Sequence, residues 1–112
     1  MSSSELVVND TWSFDYDQRK IALAVSRTSG SQTSIVAITE TGGIGSIFDA
    51  SVNETECYLG TRGDGLSEAF ARALVSILGT QHVLLTLAIR QIDQRICNAL
   101  LETVRDHASK LK

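Results

Sequence analysis

The sequence predicts an α+β fold, a mainly antiparallel sheet of five to six strands with two helices on one face, in the order βββββαβα. Three observations lead there. Short apolar runs separated by brief polar or glycine-bearing turns fill the first half of the chain, and consecutive strands so joined pair antiparallel. Leu66, Ala69, Phe70, Ala73, Leu74, Ile77 and Leu78 follow the i, i+3, i+4, i+7 spacing of one helix face. Ile96, Cys97, Leu100, Leu101, Val104 and Ala108 repeat that spacing near the end.

Length and composition suit one domain over residues 1–112, with 43% hydrophobic and 21% charged residues, and argue against disorder. A net charge of -3 supplies no electrostatic footprint for nucleic acid or an anionic membrane, so neither is expected as a partner. No apolar run approaches the roughly 20 residues that span a bilayer. The opening Met-Ser-Ser-Ser-Glu-Leu lacks the basic and apolar regions of a signal peptide, which points to the cytoplasm and also admits the nucleus. Cys57 and Cys97 fit that setting as two small hydrophobes kept reduced.

Taken in order, residues 1–9 read as a loose arm, in which Leu6, Val7 and Val8 could add a fragment of edge strand. Trp12, Phe14 and Tyr16 alternate with polar residues, as a half-buried strand does. Asp17-Gln18-Arg19 is a polar turn, and Lys20 to Ser26 is a strand apolar on both faces. Thr33 to Glu40 and Ile44 to Asp49 follow as strands, and Thr41-Gly42-Gly43 between them is a hairpin signal. A fifth short strand, Glu56 to Leu59, precedes the first helix. Gly79 ends that helix, because glycine accepts the left-handed conformation common at this position. The strand Gln81 to Arg90 carries Val83, Leu85, Leu87 and Ile89 on the side expected to lie under the helix. Asp93 then caps the last helix, Gln94 to Ser109, with Ile92 and Cys97 placed as a hydrophobic staple.

Chemistry is sparse. Gly60-Thr61-Arg62-Gly63-Asp64-Gly65 opens a helix, but it lacks the lysine and hydroxyl of a phosphate loop, and Asp64 would repel an anion. The glycines read instead as a sharp strand-to-helix turn, with Asp64 near the helix start. His82 and His107 have no matching nucleophile, and His107 reads as a solvated residue near a helix C-terminus. Two histidines and two scattered cysteines make no metal site. The reading is non-enzymatic, with no catalytic residue, metal or cofactor.

The positive signal is area. Two helices cover one face of such a sheet, and nothing later in the chain covers the other. Its strands are not clean polar alternators: Ala22 and Ala24 oppose Ile21, Leu23 and Val25, while Leu84, Thr86 and Ala88 oppose Val83, Leu85, Leu87 and Ile89. Val36 and Ile38 compete with Ile35 and Ala37 in the same way. A face of small and apolar groups favours close docking of a second sheet. Ala22, Ala24, Leu84, Thr86 and Ala88 are therefore the candidate partner-binding residues.

From about Thr11 to Arg105 the chain resembles the small proteasome-assembly chaperones, the third and fourth of that set in animals and their yeast counterparts. Ile35 to Ile47, with Thr41-Gly42-Gly43-Ile44-Gly45, resembles the family's strand–glycine turn–strand hairpin and is closer to the third chaperone. Tyr58-Leu59-Gly60 through Asp64, then Ala69 to Leu78, resembles its turn into the first helix, and Val83 to Ile89 its apolar strand. The resemblance implies a non-enzymatic chaperone that pairs with a paralogous partner, or with itself, and binds proteasome α-subunits during α-ring assembly. The alternative is a roadblock or longin-like dimeric adaptor for GTPases or trafficking complexes, but such domains place a helix early.

Overall fold

The computed structural model describes residues 7–28, 32–40, 45–51, 53–59, 65–89 and 92–110. In chain order the elements are β1 (Val7–Tyr16), β2 (Arg19–Thr28), β3 (Thr33–Thr39), β4 (Ser46–Ser51), β5 (Thr55–Leu59), α1 (Gly65–Leu78), β6 (His82–Ala88) and α2 (Gln94–Lys110). The order is the expected βββββαβα, and the fold is α+β. Strand β1 begins at Val7, inside the segment expected to be a loose arm, because its whole length finds partners on β2, from Val7 opposite Thr28 to Tyr16 opposite Arg19.

The turn between them has two residues, Asp17 and Gln18, both with positive φ (52° and 64°). Two such residues give the type I′ geometry whose twist matches that of the flanking strands. Glycine or asparagine is the usual occupant, so Gln18 carries a steric cost here.

The six strands form one sheet in the order β1-β2-β3-β6-β4-β5. All neighbours are antiparallel except β3 and β6, which run parallel. This corrects the expected hairpin at Thr41-Gly42-Gly43: β3 and β4 are not paired, because β6 lies between them. The glycines at 42 and 43 lie outside the described residues, as do residues 60–64, with the glycine turn and Asp64. Gly45 has a clear steric reason. A Cβ there would lie 2.6 Å from the Leu87 carbonyl oxygen, so the chain entering β4 passes β6 too closely for a side chain.

Both helices lie on one face. Ile21, Leu23 and Val25 of β2 share a side with Val36 and Ile38 of β3, Val83, Leu85 and Leu87 of β6, and Phe48 and Ala50 of β4, and all are buried. Thr55 of β5 is in register with Ala50; its hydroxyl donates to the Glu68 carbonyl of α1 (3.4 Å) and accepts from Arg72 (3.3 Å). Helix α2 lies toward the other edge, where Trp12 of β1 donates through its indole N–H to the Thr103 hydroxyl (3.0 Å).

The buried stripe of α1 is Ser67, Phe70, Ala71, Leu74, Val75 and Leu78. Ala69, expected on that stripe, is exposed, and Ala71 takes its place. Alanine carries too little apolar area for the pattern to orient, so the larger Phe70, Leu74 and Val75 decide the rotation. In α2, Ile96, Cys97, Leu100, Val104 and Ala108 are buried as expected. The Asp93 carboxylate accepts from the Ile96 N–H (2.9 Å), and Ile92 packs against the core, as the cap and staple require. Gly79 adopts φ +69°, the left-handed conformation anticipated at the end of α1.

At one end of the sheet, Arg19 donates two hydrogen bonds to the Glu40 carboxylate (2.9 and 2.7 Å), and the Glu40 side chain is only 4% exposed. The Glu40 N–H donates to the Ala88 carbonyl (2.9 Å), so one residue ties β2 to both β3 and β6. The hydrogen bonds that Arg19 donates to Glu40 raise the Arg19 pKa above its already high ordinary value, which keeps the guanidinium charged.

Two stability tests follow from these contacts. Phe70→Ala and Leu74→Ala remove side chains exposed by 2% and 0%, and each should destabilise by about 2–5 kcal/mol in denaturant titrations. Gln18→Gly should raise stability by about 1 kcal/mol, the left-handed penalty it relieves. A lowered midpoint for that variant would mean that Gln18 is not strained.

Candidate functional site

The candidate site is the sheet face opposite the helices. Side chains alternate along each strand, so the residues between the core positions all point to it. Register sets them in rows across the sheet. One row runs Thr11, Ala24, Ala37, Thr86 and Ile47; the next runs Ser13, Ala22, Thr39 and Ala88. A third places Ile35 beside Leu84, followed by Asp49 and Glu56.

All five candidate partner-binding residues, Ala22, Ala24, Leu84, Thr86 and Ala88, fall on this face. Ala22, Ala24 and Ala88 flank the middle of the sheet, with Thr86 in the central row. None of the five is buried, unlike the core residues Ile21, Leu23, Val25, Val83, Leu85 and Leu87 that flank them along β2 and β6. Sequence reasoning did not place Ile35, Ala37, Thr39 or Ile47. In β3 the run Ile35 to Ile38 is apolar on both sides, and only register with Val25 and Leu23 sends Val36 and Ile38 inward. Ile35 then faces outward at 51% exposure, the one exposed large hydrophobic residue among those described.

Over β1, β2 and β3 the face is an open, shallow depression lined by the small side chains of Thr11, Ser13, Ala22, Ala24, Ala37 and Thr39. At the opposite corner, Asp49, Ser51, Glu54, Glu56 and His82 share a smaller concavity of about 70 Å³. The His82 Nδ1 is 3.6 Å from an Asp49 oxygen. Among the described residues no group of three or more His, Cys, Asp or Glu is placed to hold a metal ion. No helix among them is long and apolar enough to cross a membrane.

His107 is corrected. It is half-buried: its ring stacks on Trp12 at 3.7 Å between centroids and 5° between planes, and Nδ1 lies 2.6 Å from an Asp10 carboxylate oxygen. Its place on α2, directly over β1, brings it there. With the Trp12–Thr103 hydrogen bond, this makes a tie between the edge strand and the helix layer. Cys97 is buried among the core side chains.

No family model matches the sequence, and no curated protein matches it. The surface is therefore read on its own chemistry. An uncovered, mostly uncharged sheet centre of Ala, Thr, Ile and Leu is suited to contact with another apolar surface.

The two sides of β2 predict opposite responses to charge. Ala24→Glu should leave the isolated chain folded and within about 1 kcal/mol of the parent. Leu23→Glu buries a carboxylate in the core and should abolish cooperative unfolding. Equal damage from both, measured by circular dichroism and thermal melts, would mean that the Ala24 face is covered in the isolated chain.

Proposed function

We propose that this chain is a non-enzymatic assembly chaperone that pairs through its open sheet face with a paralogous partner of the same fold. The pair binds proteasome α-subunits and promotes α-ring assembly. The observation that carries the reading is the uncovered apolar face. Six strands at about 4.8 Å spacing and about 20 Å of strand length give on the order of 500 Å² of sheet, and its central rows carry the apolar part. The resemblance of the strand–glycine–strand, helix and late-strand sequence segments to small proteasome-assembly chaperones supplies the partner and the client. A paralogue with its own one-sided sheet would bury both faces at once, as in a β-sandwich. This reading carries no catalysis or cofactor, and it locates the chain in the cytoplasm or nucleus.

The roadblock or longin-like adaptor would also dimerise. Those domains place a helix early, whereas five strands precede α1 here. That order favours the chaperone.

The test uses the purified chain, the paralogous chaperone from the same organism and individual α-subunits. The pair should form, capture at least one α-subunit, and fail to bind the finished core particle. Ala24→Glu should weaken the pair by orders of magnitude, since burying an unpaired carboxylate costs several kcal/mol and each 1.4 kcal/mol is about tenfold. Glu102→Lys, on the exposed side of α2, should leave pairing unchanged. A pair that forms normally but captures no α-subunit would refute the chaperone role.

A further inference from the structure

We infer that the outer edge of β1 is a peptide-binding site, which takes an extended segment of another protein as a seventh strand of the sheet. The segment alternates apolar and polar residues, and its apolar side chains rest beside Trp12, Phe14 and Tyr16. This edge is distinct from the open face, and pairing through that face would leave it accessible.

The backbone sets the donors and acceptors. The two-residue turn at Asp17 and Gln18 makes Tyr16 and Arg19 a hydrogen-bonded pair, and such pairs alternate along an antiparallel ladder. Phe14, Trp12 and Asp10 therefore bond to Ile21, Leu23 and Val25 of β2. The N–H and C=O groups of Asn9, Thr11, Ser13 and Asp15 point the other way. Strand β1 ends the strand order, and among the described residues nothing pairs with that side. A strand laid along it would complete the ladder.

The two edges of the sheet are guarded unequally. Edge strands are commonly short, bulged, or marked by lysine or proline. Strand β1 has ten residues in unbroken register with β2, contains no lysine or arginine, and belongs to a chain without proline. Strand β5, at the other edge, has five residues, and its pairing with β4 shifts register between Ile47 and Phe48. Moreover, β1 is pinned to α2 by Trp12 on Thr103 and Asp10 on His107. A held strand has little ordering entropy left to lose on binding.

The side chains give the segment its pattern. Trp12, Phe14 and Tyr16 pack against the core but are only half-buried, whereas Ile21, Leu23 and Val25 beside them on β2 are fully covered. The rings of Phe14 and Tyr16 are 6.4 Å apart. An antiparallel segment bonded to Thr11, Ser13 and Asp15 places its inward side chains opposite Trp12 and Phe14 at non-hydrogen-bonded positions. Cross-strand side chains come closest there, and β-branched or aromatic residues pair well with aromatic ones. The alternate side chains lie beside Thr11 and Ser13, where polar groups stay in water.

Area selects the occupant. Ten residues of edge, roughly 34 Å long in a sheet about 10 Å deep, offer on the order of 300 Å² to a rigid neighbour. Each partner in a standard interface gives about 800 Å². A second copy docked edge to edge falls short of a stable dimer. An extended segment instead draws affinity from main-chain bonds, and specificity from alternate side chains.

The experiment selects ten-residue peptides from a random phage-displayed library on the full chain, then measures the enriched peptide by fluorescence anisotropy. Enriched sequences should alternate apolar with polar residues and avoid proline. In the complex, the amides of Thr11, Ser13 and Asp15 should exchange with solvent at least tenfold more slowly, while those of β5 stay unchanged. Ser13→Pro removes an outward N–H at an edge position where proline is tolerated. It should keep the fold and weaken peptide binding tenfold or more. Phe14→Pro removes an N–H bonded to β2 and should lower the thermal midpoint sharply. Exchange in the parent chain decides the matter even where a variant fails to fold. No alternating peptide enriched, or one that leaves these amides exchanging as in the free chain, would overturn the inference. So would a dimer of the chain alone in which the same amides are protected, because the occupant would then be a second copy.

Discussion

The placement of β6 between β3 and β4 is the constraint on which the rest of the architecture depends. Both β5 and β6 run antiparallel to β4, so they are parallel to each other with β4 between them. A parallel connection cannot be made by a tight turn, and α1 is the crossover that spans β4. Helix α2 follows β6 and packs beside α1 on the same side. With both helices committed to one face, the other is left without cover among the described residues. The open surface is thus a consequence of connectivity as much as of composition.

Strand β6 merits the centre because it is apolar on both sides. Val83, Leu85 and Leu87 enter the core, and Leu84, Thr86 and Ala88 carry the apolar character through to the far face. The strands at the edges are more polar. The longest of them, β1, is held down at its inner face by Trp12, Asp10 and their contacts with Thr103 and His107. Glu40 performs a similar task at the end of the sheet. It bonds to β6 through its backbone and to β2 through Arg19, so the parallel pair and the first hairpin share one anchor.

The open face combines features that differ from half to half. Its β1–β3 side is shallow and lined by small side chains, and its β4–β5 corner is acidic. Close approach of another surface would be governed by side-chain volume on one side and by charge sign on the other.

Much of this was legible in the amino-acid sequence, for local reasons. Periodicities of two and 3.6 located the strands and both helices, and Gly79 and Asp93 marked helix boundaries through backbone preferences that need no tertiary context. The outward-facing alanines of β2, with Leu84, Thr86 and Ala88, followed from alternation once the inward side was known. Other features depended on contacts far apart in the chain. The run Ile35 to Ile38 reads the same on both faces, and only pairing with β2 exposes Ile35. The glycine pair at 42 and 43 has the local chemistry of a hairpin, yet β6, some forty residues later, takes the place that hairpin pairing would fill. His107 looked solvated beside its charged neighbours until β1 brought Trp12 beneath it. Local chemistry set the elements and their sidedness. Competition among strands for the buried centre of the sheet decided their order, and with it which face remained open.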